Sequence, residues 1–248
     1  MTPLQHCSVK KMMMIKQSFL LLLFIVLFQM MIKAQTTDDF MVWNSLGLKA
    51  SLAPSMSIDA SMQTRFQNNG QQWNGMYFFI TPKYEIFDNT TLIADIRYGS
   101  SSLWNRMRYG MGLQYKYSLK KLKCSVRGLY QYEYFDNSVP DIGQFPDRYN
   151  IRLRLSSEYK ITKRISAFLA IEPLYRIEQS IGGLQRIRNT FGFEWEILKR
   201  HTITTSFLVQ PQYQQASLQR IQYISHVGYT FELPALYDKK NTTPLGDE

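Results

Sequence analysis

From Phe40 to Phe231 the chain repeats one pattern, apolar and polar residues in strict alternation over stretches of 8–13 residues, with no apolar stripe of helical spacing. A period of two puts successive side chains on opposite faces of a β-strand. The clearest case runs from Arg148 to Tyr159. Tyr149, Ile151, Leu153, Leu155, Ser157 and Tyr159 share one face, and Arg148, Asn150, Arg152, Arg154, Ser156 and Glu158 share the other. The next segment places Ile165, Ala167, Leu169, Ile171, Pro173 and Tyr175 on its apolar face. Upstream, Met107, Tyr109, Met111, Leu113, Tyr115 and Tyr117 alternate with Arg106, Arg108, Gly110, Gly112, Gln114 and Lys116. Similar stretches occupy about 40–53, 56–66, 76–87, 91–99, 123–135, 185–196, 202–213 and 220–231, which makes about eleven strands. Several exceed the usual soluble strand of about 5–6 residues.

A β-sandwich also alternates, so the content of each face has to separate it from a barrel. Opposite the apolar residues stand Arg65, Arg97, Arg106, Arg108, Arg127, Arg148, Arg152, Arg154, Arg176, Arg186, Arg188 and Arg220, together with Asp59, Glu85, Asp95, Glu133, Glu158, Glu172 and Glu194. Long charged side chains suit a wet or salt-bridged lumen whose outer face meets lipid. Aromatic placement points the same way. Tyr149 and Tyr159 bracket an aliphatic centre ten residues apart. At about 3.3 Å per residue and a tilt near 40°, that spans roughly 25 Å, the height of the apolar band between two aromatic girdles. The fold expected is an all-β, antiparallel transmembrane β-barrel of 10–12 strands.

Connections alternate in length. Short turns sit near Pro54-Ser55, Asp88-Asn89, Ser118 to Leu122, Ile161-Thr162-Lys163 and Leu198 to His201, and longer polar loops at Asn68–Gly75, Ser100–Asn105, Asp136–Pro146 and Ile177–Leu184. Outer-membrane barrels place short turns in the periplasm. The strand at 40–53 then begins outside, and an even strand count requires one segment to be missed, split or kept out of the barrel. Pro82, Pro173 and Pro211 each lie on an apolar strand face two residues before a Tyr. Proline lacks a ladder donor, so bulges or broken pairing are expected there, and they count against perfect closure.

The N-terminus reads as a signal peptide over 1–34. Lys10, Lys11 and Lys16 precede an apolar run from Phe19 to Phe28, and Ala34 supplies a small residue before Gln35. An anchor helix is the alternative, but Gln29 interrupts the run short of the about 20 apolar residues a span needs. The domain plan is then 1–34 signal peptide, 35–233 barrel and 234–248 tail. Removing residues 1–34, with four Lys and no acidic residue, lowers the formal charge from +10 to +6. Cys7 precedes the apolar run, which leaves Cys124 alone in the exported part and excludes an intramolecular disulfide.

Chemistry-bearing groups are sparse. His201 and His226 are the histidines of the exported part, and the same-face strand neighbours of His226, Ile224 and Gly228, offer no nucleophile. A serine on a paired strand stays open, because pairing is not visible in sequence. No metal site, cofactor or catalytic residue is expected. The strongest functional feature is the basic set facing the lumen: Arg97, Arg106, Arg108, Arg127, Arg148, Arg152, Arg154, Arg186 and Arg188. Rings of Arg favour anions, whereas Arg paired with Asp or Glu would plug the barrel. Nucleic acid is disfavoured because aromatic and basic residues lie on opposite strand faces.

The last strand, His226-Val227-Gly228-Tyr229-Thr230-Phe231-Glu232-Leu233, resembles the C-terminal recognition signal of bacterial outer-membrane proteins. That resemblance implies the barrel-assembly machinery as a partner during biogenesis. From about Asp39 to Phe231 the chain also resembles a family of bacterial outer-membrane proteins, domain of unknown function 2490. The likeness is carried by Trp43, Leu46-Gly47, Arg148-Tyr149-Asn150-Ile151-Arg152-Leu153, Glu172-Pro173 and Arg186-Ile187-Arg188 leading to Gly192. It implies an outer-membrane barrel and brings no activity, ligand or catalytic residue. The reading is a non-enzymatic outer-membrane protein, structural or a narrow anion-favouring pore for an unidentified solute. A membrane-embedded lipid hydrolase and a surface binding or assembly component acting through Asp136–Pro146 are the alternatives.

Overall fold

A computed structural model describes residues 39–101, 105–136, 147–177, 182–214 and 217–235. The expected signal peptide, most of the tail and the centre of the loop after Asp136 lie outside the described residues. Eleven strands follow one another: β1 Asp39–Ala53, β2 Met56–Gln67, β3 Gln72–Phe87, β4 Thr90–Ser100, β5 Asn105–Leu119, β6 Leu122–Asp136, β7 Arg148–Lys160, β8 Ile165–Arg176, β9 Gly183–Leu198, β10 His201–Gln214 and β11 Ser217–Glu232. Each consecutive pair is antiparallel, and β11 pairs with β1 to close a barrel. Closure leaves the sheet without an unpaired edge strand, which a lipid environment demands.

Strand parity resolves in a way the alternation could not show. The β1–β11 pair is parallel, from Asp39↔Gln222 to Lys49↔Glu232. An odd number of strands therefore closes with no segment missing or split, and the barrel is antiparallel at every seam except this one. The prolines do not open it either. The β3–β4 ladder lapses between Ile80↔Ile96 and Lys83↔Ile93 and resumes in the same register. The same happens beside Pro173 between β7 and β8 and beside Pro211 between β9 and β10. Each proline also pairs normally with its other neighbour, as in Ile58↔Pro82, Pro173↔Ile187 and Pro211↔Ile221. A missing N–H affects one side of a strand only.

One expected loop is shorter than its composition implies. Asn68–Gly75 is a tight connection over 68–71, because β3 already begins at Gln72. Asn68, Asn69 and Gly70 take left-handed φ values of 51°, 57° and 77°, a conformation that Asn and Gly adopt at least cost. The Asn68 amide donates to Asp39 Oδ1 at 2.8 Å, tying this turn to the start of β1.

The outer face carries exposed Leu113, Ile151, Leu153, Leu155, Leu169 and Phe191, with Tyr109, Tyr117, Tyr149, Tyr159 and Tyr175 toward strand ends. On a water-soluble protein an apolar belt of this extent would be an association hazard, whereas hydrocarbon leaves it satisfied. The buried residues include a large polar and charged share, led by Arg108, Gln131, Asn150, Arg152, Glu133 and Glu172. A small apolar cluster of Met41, Trp43, Leu208 and Ile224 lines the β1–β11–β10 wall.

Candidate functional site: the arginine-filled lumen

Contacts between non-neighbouring strands show that the charged face is the interior. Arg127 of β6 reaches Glu172 of β8 across β7, at 3.4 Å. Arg188 of β9 lies 5.3 Å from the Trp43 ring of β1, with β10 and β11 between them in the sheet. The second contact spans three strand steps and is made across the inside of the closed barrel.

Glu172 is a hub. Arg152 donates to its Oε1, Arg188 lies 3.5 Å from the same oxygen, and Arg127 and Arg154 approach Oε2 at 3.4 and 4.0 Å. Arg188 is further fixed by donating through Nε and Nη2 to Gln210 Oε1 at 3.0 and 2.9 Å. A second knot joins Asp95, Arg108 and Glu133. Arg108 Nη2 donates to Asp95 Oδ2 at 3.0 Å, Gln131 Nε2 donates to the same oxygen at 3.0 Å, and Glu133 lies 3.7 Å from both Arg106 and Arg108. Arg108 is only 1% exposed. A buried charge of this kind is held by its partners, and its removal from them costs several kcal/mol.

Other guanidiniums rest on aromatic rings. Arg65 lies 4.0 Å from the Trp43 centroid and 3.8 Å from that of Tyr77, and its Nε donates to Gln63 Oε1 at 2.8 Å. Arg97 lies 4.0 Å above Phe79, and Arg148 lies 4.7 Å from Phe135. Among the described residues no carboxylate oxygen lies within 4.0 Å of the Arg65, Arg97 or Arg186 guanidinium. A ring face attracts a cation without cancelling its charge. These stacks correct the expectation that aromatic and basic residues keep to opposite faces. Tyr77, Phe78 and Phe79 are consecutive, so their alternation is masked, and Trp43 and Phe135 sit on the inner face of strands read only by their outer one.

The nine arginines singled out from sequence divide among different surroundings. Arg127, Arg152, Arg154 and Arg188 gather on Glu172, Arg106 and Arg108 on Glu133, Arg97 and Arg148 on rings, and Arg186 lines a separate cavity. Arg65, Arg97, Arg127, Arg152, Arg154 and Arg188 border a mid-barrel space of about 280 Å³. Its acidic neighbours are engaged elsewhere, Asp59 with Lys83 and Asp95 with Arg108. A larger space of about 710 Å³ opens toward the short-turn end, past Arg154, Arg188, Lys116 and His226.

Parallel closure brings together a pair that sequence left open. Ser45 Oγ lies 2.8 Å from His226 Nε2, and Ser206 Oγ lies 3.3 Å from Nδ1. Gly228 makes room for them, since a Cβ there would sit 2.7 Å from Ser45 Oγ. The group at Nδ1 is a hydroxyl at long range rather than a carboxylate, and the trio faces the lumen, away from lipid. His201 is engaged at the rim, with Nδ1 2.6 Å from the Tyr229 hydroxyl. The described residues contain no cluster suited to a metal ion.

A closed barrel with an apolar exterior and a charged, partly open interior defines a transmembrane β-barrel. The family described as "Protein of unknown function (DUF2490)" matches residues 40–222, and the chain belongs to that family. No curated protein matches it. Among solved structures it is similar to the NanC porin, with a TM-score of 0.53 and 13% identity over 79% of this chain and 100% of that one. Similarity also extends to the KdgM porin (TM-score 0.43, 11% identity, 66% of this chain and 81% of that). An anion-selective porin from Comamonas acidovorans gives a TM-score of 0.34 at 13% identity, over 71% of this chain and 52% of that. The first of these bears on the fold alone.

Proposed function

We propose that the protein is a non-enzymatic outer-membrane channel with a narrow lumen that favours small anions. It is exported by a signal peptide cleaved after residue 34 and inserted by the barrel-assembly machinery. Its short turns face the periplasm, the usual arrangement, which puts the start of β1 at the outer rim. The observation that carries the reading is the mid-barrel space bordered by six arginines, two of which, Arg65 and Arg97, are held by rings and not neutralised by carboxylates. Oriented positive charge at a constriction lowers the barrier for anions and raises it for cations.

Planar-bilayer recordings in a salt gradient test this. The expected result is a small current whose reversal potential lies on the anion side. Arg65→Gln with Arg97→Gln should move it toward zero. A cation-selective current would overturn the reading, and a sealed bilayer would leave the structural role. The Ser45–His226 contact keeps a hydrolase as the competing reading. Unchanged lipid hydrolysis by outer membranes after His226→Ala would remove it.

A further inference from the structure

A third interior space, at the long-loop end, has a volume of about 400 Å³ and is lined by Asn150, Arg176, Arg186 and Gln212 with Arg106, Arg148 and Glu133. Asn150 of β7 is 1% exposed, yet neither its Oδ1 nor its Nδ2 has a hydrogen-bond partner in the protein. A buried polar group left in that condition is costly, on the order of 1–3 kcal/mol. Such groups are therefore rare and call for an explanation. Directly across the ladder from Asn150 stands Arg176 of β8, whose buried Nε is also without a partner. Arg186 of β9 faces Gln212 of β10. No carboxylate oxygen lies within 4.0 Å of the Arg176 or Arg186 guanidinium among the described residues. Glu133, which shares this lining, is engaged by Arg106 and Arg108.

The hydrogen-bonding inventory limits what can satisfy this site. Guanidiniums only donate, so Arg176 and Arg186 call for acceptors, and negatively charged oxygens bind them most strongly. The Asn150 amide offers one donating and one accepting atom, so it requires a ligand that both accepts and donates. An oxyanion that retains its own hydroxyl meets all three demands. A fully deprotonated tetrahedral anion does not, because its oxygens would face Asn150 Oδ1 with no proton between them.

We propose that the long-loop cavity is a binding site for a protonated phosphate group, with Arg176 and Arg186 holding its charged oxygens and Asn150 accepting from its P–OH. The inference rests on the lumen being open to solutes, as in the channel reading, but it concerns equilibrium binding and not conduction. Discrimination comes from Asn150. A site that hydrogen-bonds a substrate hydroxyl rejects an analogue lacking it, because its own polar group is left unpaired.

The test is calorimetric titration of the barrel, purified from outer membranes in detergent, with inorganic phosphate below its second pKa and separately with sulfate. Phosphate should bind at least about tenfold more tightly than sulfate. Asn150→Leu should bring phosphate down to the affinity of sulfate and leave sulfate unchanged. Arg176→Gln with Arg186→Gln should abolish both. A heat-modifiability gel on each variant establishes that it is folded, and the Arg176→Gln single variant, at a less buried position, should weaken both anions if the double variant does not fold. Equal affinity for the two anions, no binding of either, or full binding after loss of both arginines overturns the site. Methyl phosphate separates two sources of the same chemistry: tight binding points to phosphate esters of sugars or headgroups, and its exclusion to free phosphate. Bilayer currents recorded on the same preparations report the channel reading independently, since changing Arg176 and Arg186 leaves Arg65 and Arg97 untouched.

Discussion

Glu172 holds four guanidiniums within 4.0 Å and is itself buried, so it is the residue on which the interior charge balance turns. Glu172→Gln leaves those cations facing one another with no counter-charge. Breaking a buried pair from one side costs about 3–5 kcal/mol, and the urea concentration at which the heat-modifiable band disappears should fall accordingly. Arg154→Gln, at the edge of the hub and partly exposed, should shift it far less. At this scale alternation assigns each arginine a face, because it fixes parity along a strand. It did not show what each arginine touches. The convergence of Arg127, Arg152 and Arg188 on one carboxylate depends on three neighbouring registers, and the Arg65 stack depends on Trp43 and Tyr77 lying inside, where no apolar–polar contrast marked them.

Strand registers carry their own constraints. Gly112 of β5 faces β6 so closely that a Cβ would fall 1.8 Å from the Gly128 carbonyl oxygen and 2.9 Å from Leu129 Cα, both backbone atoms. Gly128 itself has open space where its Cβ would be. Gly112→Ala should therefore abolish the heat-modifiable folded form, whereas Gly128→Ala should retain it. The parallel seam is tested by pairing. With Cys124 replaced by Ser, Asn44→Cys and Val227→Cys should cross-link under mild oxidation, since these positions are Cα partners. Failure to form that bond in membranes would refute the β1–β11 register. The strand segments were legible to within a few residues from alternation alone. The seam was not, because nothing in two separate strands records whether they meet, or in which direction. The broken pairing expected at the prolines is present beside all three, but it does not weigh against closure, because a strand presents each N–H to only one neighbour.

At the scale of the molecule, interior and exterior invert the arrangement of a water-soluble domain. Ile151, Leu153 and Leu155 remain outside while Arg108, Glu133 and Asn150 are enclosed. Strong detergent should therefore preserve the fold until the sample is boiled, and boiled and unboiled samples should migrate differently on a gel. Equal migration would argue against a closed barrel. The parallel seam has one more implication. Asp39 sits beside the Asn68 turn at one rim, while the Glu232 amide bonds to the Arg200 carbonyl at the other. The two ends of the sheet are thus separated by the height of the barrel, roughly 25 Å. A circular permutant joining them needs a connector of about eight extended residues or more, and that connector would have to thread the lumen or cross the lipid. Opening the chain within a hairpin turn and leaving the original pair apart gives instead a barrel assembled from two fragments, whose new ends share one rim.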